Sequence, residues 1–162
     1  MRIHRFPRLP VLLVFGVLLL LVATASGQPE DMGGWEADGK YNRYFDVREM
    51  DEFKCTVKKV FEVAPLPGMT PGVALLVEES EDDLIPVHIC PTWYQKTDAL
   101  RLRKGDRVKI RGAWAEIDGE DVFMATKIKK GAETVIKVRL TKSGKPFWVM
   151  GDAELRKELE SD

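Results

Sequence analysis

The chain has 162 residues, with 25 basic against 26 acidic side chains and a formal net charge of −1. That length suits one compact domain plus extras. The near-balance of charge offers no general draw to nucleic acid or to an anionic membrane.

The N-terminal residues read as an export signal. Arg2, Arg5 and Arg8 come first, then "VLLVFGVLLLLVA" runs apolar without a charge, and "ATASG" supplies small residues. This is the three-part pattern of a signal peptide over residues 1–25, cut after Ala23-x-Ala25. The apolar run is shorter than the roughly 20 residues a spanning helix needs, so an uncleaved N-terminal anchor is the lesser alternative and no stable span is expected after cleavage. Removing the three arginines from the 25 basic side chains leaves 22 against 26 acidic ones, a mildly acidic mature chain of about −4. Export to the periplasm would place Cys55 and Cys90 in an oxidising compartment, where they are candidates for a disulfide.

Residues 26–42, "SGQPEDMGGWEADGKYN", are rich in Gly, Asp and Glu without apolar periodicity. They read as a flexible leader in which Trp35 stands as an exposed tail aromatic, docking being the other reading. The domain itself is expected over 43–150. In "FKCTVKKVFEV" the apolar residues Phe53, Cys55 and Val57, then Phe61 and Val63, alternate as in a half-buried strand. "APLPGMTPG" interrupts it with three prolines that cannot donate to a ladder. "VALLVEE" and "LIPVHIC" follow as second and third strands around the acidic turn "ESEDD".

"TWYQKTDALRLRKGD" changes period. Thr92 followed three residues later by Gln95 fits a capping box, so a short helix is expected between strands 3 and 4. "DRVKIRGAWAEI" and "DVFMATKIKK" are joined by "DGE", a strong hairpin signal. "ETVIKVRL" and "TKSGKPFWVM" add a C-terminal strand or hairpin. Residues 151–162 have only Leu155 and Leu159 for an apolar stripe and read as an exposed helical or disordered tail. Three strands, a short helix and a long hairpin give an all-β class: a small OB-fold-like five-stranded barrel with an added C-terminal strand or hairpin. Trp93, Tyr94, Trp114, Phe123 and Trp148 are read as structural, the first two closing one barrel end.

The segments "YFDVREMDEFKCTV", "IPVHICPTWY", "LRKGDRVKIRGAW", "GEDVFMATKIKKGAETVIKVRL" and "GKPFW" together resemble the exported OB-like domain named after the magnetosome proteins MamS and MamX. The likeness runs over roughly residues 41–148. It implies an exported barrel, and in magnetosome-forming organisms an association with iron-mineral growth or redox. Where such domains carry His-x-Gly-Pro, this chain has Cys90 in place of the glycine. Neither cysteine belongs to a C-x-x-C-H motif, so covalent haem is not supported.

Three chemistries remain to be weighed. His88 and Cys90 suit zinc or copper as a metal or redox site, yet such a site needs three or four ligands, and the only other histidine, His4, leaves with the signal segment. A Cys55–Cys90 disulfide is favoured by compartment but hindered by strand order, since the second strand separates the first from the third and the Cα atoms must come within about 7 Å. Arg107, Lys109 and Arg111 offer a ligand surface for an oligonucleotide or another anion, but Glu78, Glu79, Glu81, Asp82 and Asp83 would repel phosphate where OB domains usually bind it, and no nucleic acid is expected. No nucleophile with a base and no phosphate-cradling glycine loop is present, so catalysis is not expected. The reading reached is an exported, non-catalytic binding module for an envelope protein partner, in a redox or metal-handling system, with no cofactor required.

Overall fold

The computed structural model describes residues 31–161, and the expected signal segment lies outside them. β1 (Met50–Val63) is the organising strand. Phe53, Cys55 and Val57 turn inward, and a bulge between Val57 and Lys59 bends it. An extra residue in one strand increases local twist, so a single strand serves two partners. Its first half pairs antiparallel with β4 (Arg107–Ile117) and its second half with β2 (Gly72–Glu78).

β2 pairs with β3 (Leu84–Pro91), and β4 turns into β5 (Glu120–Lys130) through Asp118 and Gly119. Both turn residues have positive φ, 52° and 82°, as the tight hairpin turn requires and as Asp-Gly permits. β3 and β5 then meet in parallel through Val87↔Phe123 and His88↔Met124. The sheet therefore closes in the order β3-β2-β1-β4-β5, the five-stranded OB barrel expected from the sequence. β6 (Thr134–Lys137) continues along β5, and Arg139 bridges to Pro146 in the C-terminal hairpin.

Val57, Leu75, Val87, Ile110, Phe123 and Ile128 fill the barrel without measurable exposure. Side chains of this size each contribute about 1.5–3 kcal/mol when fully buried. α1 (Asp152–Glu160) buries none of its residues.

Two expectations are corrected. The helix after β3 is a single 3₁₀ turn, Thr97–Leu100, and Thr92 does not cap it. The backbone N–H and Oγ1 of Thr92 both donate to the Pro71 carbonyl, at 3.1 and 3.0 Å, so this residue extends the β2–β3 register instead of starting a helix. The second correction concerns the leader. From residue 31 onward it is part of the domain, with Trp35 and Tyr41 each 1% exposed. "DMGGW" is a built turn: the Gly33 N–H donates to Asp31 Oδ1 at 2.9 Å, Gly33 and Gly34 take positive φ, and the Gly33 carbonyl accepts from Thr70 N at 2.9 Å. Such a segment has no period to read, because aromatic anchors and not regular structure hold it down.

Candidate functional site

The residues singled out for chemistry, His88 and Cys90, lie beneath a lid made from both ends of the described chain. Trp35 lies over Gly72, where a Cβ would come within 2.5 Å of the indole, so the close approach requires glycine. The indole N–H of Trp35 donates to the Thr70 carbonyl at 3.0 Å. Tyr41 and Trp148 meet Trp35 edge-on at 4.8 and 5.6 Å, and Trp148 Nε1 donates to the Trp35 carbonyl at 2.9 Å. Tyr41 Oη stands 3.2 Å from His88 Nδ1. Strands β2 and β3 and the loop joining β1 to β2 form the surface that OB barrels offer to ligands. Here the chain covers it with its own aromatics.

Arg139 ties the lid together. It is 3% exposed, donates to Asn42 Oδ1 at 2.8 Å and to the Gly144 carbonyl at 3.2 Å, and lies 4.7 Å from the Trp148 ring centre and 5.4 Å from that of Phe45. Among the described residues no carboxylate pairs with it, so hydrogen bonds and ring faces carry the buried charge. Burial lowers Arg139 to about 10. Burial, with the Arg139 charge adding to it, lowers His88 to about 4, so the imidazole is neutral near pH 7. Burial pushes the Cys90 thiol up to about 12 against the opposing pull of Arg139, and pushes Tyr41 to about 12 in the same way.

His88 and Cys90 do not form the pair expected of them. β3 opposes His88 to Ala74 and Cys90 to Val73, with a register shift between, so the alternation that would set both on one face is broken. Among the described residues no group of three or more His, Cys, Asp or Glu side chains is placed to hold a metal ion, and the Arg139 charge disfavours a cation there. The disulfide is also absent: both thiols are free and buried. Cys55 adjoins Thr56, which faces Glu78, whereas Cys90 faces Val73, so they sit at opposite ends of β2, about 16 Å apart along the strand. That exceeds the about 7 Å a bridge tolerates.

Burial pushes Cys55 to about 12 as well, and a thiol reacts through its thiolate. Neither cysteine is therefore expected to react with a thiol reagent in the folded protein at pH 8, whereas the denatured chain should yield two thiols without reductant. Rapid reaction of either thiol in the native state would contradict the burial described.

The second region is the outer face of β1, β4 and β5. Lys54 faces Lys109, and Lys109 faces Lys129; in the next row Glu52 faces Arg111, which faces Lys127, which faces Lys137. Arg107 stands opposite Thr56. Directly opposed like charges destabilise a sheet, and among the described residues Lys109 has one ion-pair partner, Glu52. An open cleft of about 430 Å³ here is lined by Lys54, Thr56, Arg107, Lys109 and Lys129, with Glu79, Cys55, Val108 and Gly131 also in its wall. The expected ligand surface, Arg107, Lys109 and Arg111, is thus brought onto one face. The sequence reading missed Lys54 and Lys129, and it missed Arg139 altogether.

Trp93 is half exposed, whereas Tyr94 packs against Trp148 at 6.0 Å, so only the second acts as a plug. Among the described residues no helix is long and apolar enough to cross a membrane.

Fold and site together define a small OB-type barrel whose usual ligand face is closed by its own chain and whose outer sheet face is basic. Residues 49–135 match the model of the MamS/MamX magnetosome protein family, and the chain belongs to that family. No curated protein matches the chain. Among solved structures, it is similar to a chain of the S. pombe Stn1–Ten1 complex at 11% identity and a TM-score of 0.40, over 50% of this chain and 57% of that one. It is also similar to the protein PriB from Ralstonia solanacearum at 14% identity and a TM-score of 0.41, over 52% of this chain and 98% of that one. The barrel assignment rests on the strand pairings themselves.

Proposed function

We propose that this chain is an exported accessory module without catalytic activity, which docks a protein partner in the envelope within a redox or metal-handling system. One observation carries the reading: the residues with chemical potential are sealed under Trp35, Tyr41 and Trp148, with a neutral imidazole and a protonated thiol. A reactive centre needs access and a group poised near its working pH. His88 and Cys90 have neither, so what the module offers to other molecules is its outer surface.

Family membership supports an accessory role, and the charged leader segment with its small-residue cut supports export. The test is site-specific cross-linking in intact cells, with a photoreactive residue placed on the outer face of the barrel. A discrete adduct with an envelope protein is the expected outcome. Adducts confined to nucleic acid, or none from any outer position, would remove the docking reading.

A further inference from the structure

The basic face specifies the chemistry of what it binds, an inference that rests on the docking reading above. We propose that the outer face of β1, β4 and β5 receives an extended acidic segment of the partner protein, with carboxylates at alternate positions. The spacing carries the argument. Arg107, Lys109 and Arg111 occur every second residue on one side of β4, about 6.8 Å apart. An extended peptide repeats its own same-side residues at that interval. Lys54 and Lys129 flank Lys109 on the two neighbouring strands, so the middle of the face presents three ammonium groups in one cross-strand row.

Such a row is self-repelling, and its repulsion is relieved when carboxylates lie across it. Within the two rows Glu52 is the one acidic residue, and it pairs with Lys109. Glu79 in the cleft wall limits the acidic stretch at that end. A single-stranded nucleic acid would find phosphate partners here but no stacking platform, because no aromatic ring lines the cleft.

The experiment uses the intact chain and a labelled peptide of alternating Asp and Thr, with an Asn-Thr peptide and an oligothymidylate of similar length as comparators. The Asp peptide is expected to bind, to weaken as salt rises, and to lose roughly tenfold or more in affinity when Lys109→Glu and Lys129→Glu are combined. The Asn peptide is expected not to bind. Both substituted side chains point outward, and thermal unfolding of the double variant checks that the barrel is intact. Failure to bind the Asp peptide at low salt, or equal binding by the double variant, overturns the inference. Tighter binding of the oligothymidylate at the same residues overturns it in favour of nucleic acid. If cross-links to an envelope protein form and survive the double substitution, docking stands and the acidic-segment assignment falls; if peptide binds but no envelope adduct forms, docking falls alone.

Discussion

Trp35→Ala is expected to lower the stability of the folded chain by about 3–5 kcal/mol, the range for deleting a buried indole. The ring fills the space over Gly72, touches Tyr41 and Trp148, and donates to the Thr70 carbonyl. A Cβ in its place leaves a cavity that cannot close, because β2 behind it is fixed by pairing on both sides. For a domain of this size the unfolding midpoint should fall by about 10 °C or more. The same variant should raise the reactivity of Cys90 while leaving that of Cys55, in the cleft wall at the far end of β2, unchanged. Unchanged stability with both thiols still silent would show that the 31–45 segment is not part of the folded unit.

Acid should unfold the protein through His88. Its folded pKa of about 4 lies below the ordinary 6.5. Between those values the unfolded chain binds a proton that the folded chain does not. Stability is therefore fully present above pH 6.5, is lost as pH falls toward 4 and levels off below it. The whole step amounts to about 3 kcal/mol. The charged and titratable groups beside the imidazole are Arg139 and the neutral Tyr41, and neither offsets a second positive charge. His88→Gln keeps a polar partner for Tyr41 but does not titrate, and its stability should change little from pH 6.5 to 4.5. Glu52 and Asp106, held down by Lys109 and Lys130, contribute only below their ordinary 4.5 and 3.8, so they leave this window clear. Parallel pH profiles for the two proteins, from denaturant titrations, would rule out His88 as the sensor.

Much of the barrel was legible because its rules are local. Alternation marks β1, proline clusters mark its end, and Asp-Gly marks the β4–β5 turn. The site was less legible because bulges and contacts between distant segments decide it. The turn at Asp118–Gly119 starts a register that would oppose Lys109 to Ile128; a shift between Arg111 and Gly112 moves Lys129 there instead. One extra residue thus creates the lysine row. A second shift, in β3, separates His88 from Cys90.

Arg139 illustrates the same limit. In "VIKVRL" it reads as one more outward basic residue. It is buried because Tyr41 and Phe45, almost a hundred positions earlier, fold over it and Asn42 accepts its hydrogen bond across 97 residues of sequence. No local pattern encodes that meeting.

The sequence by itself determined the strands, the tight hairpin and the closed barrel, since backbone sterics and period-2 burial act between near neighbours. Only the tertiary structure decided that residues 31–45 are a lid and not a leader, that His88 and Cys90 are sealed and separated, and that three lysines share a row. Those outcomes depend on register and on long-range packing, where one inserted residue reverses a face and one distant aromatic buries a charge.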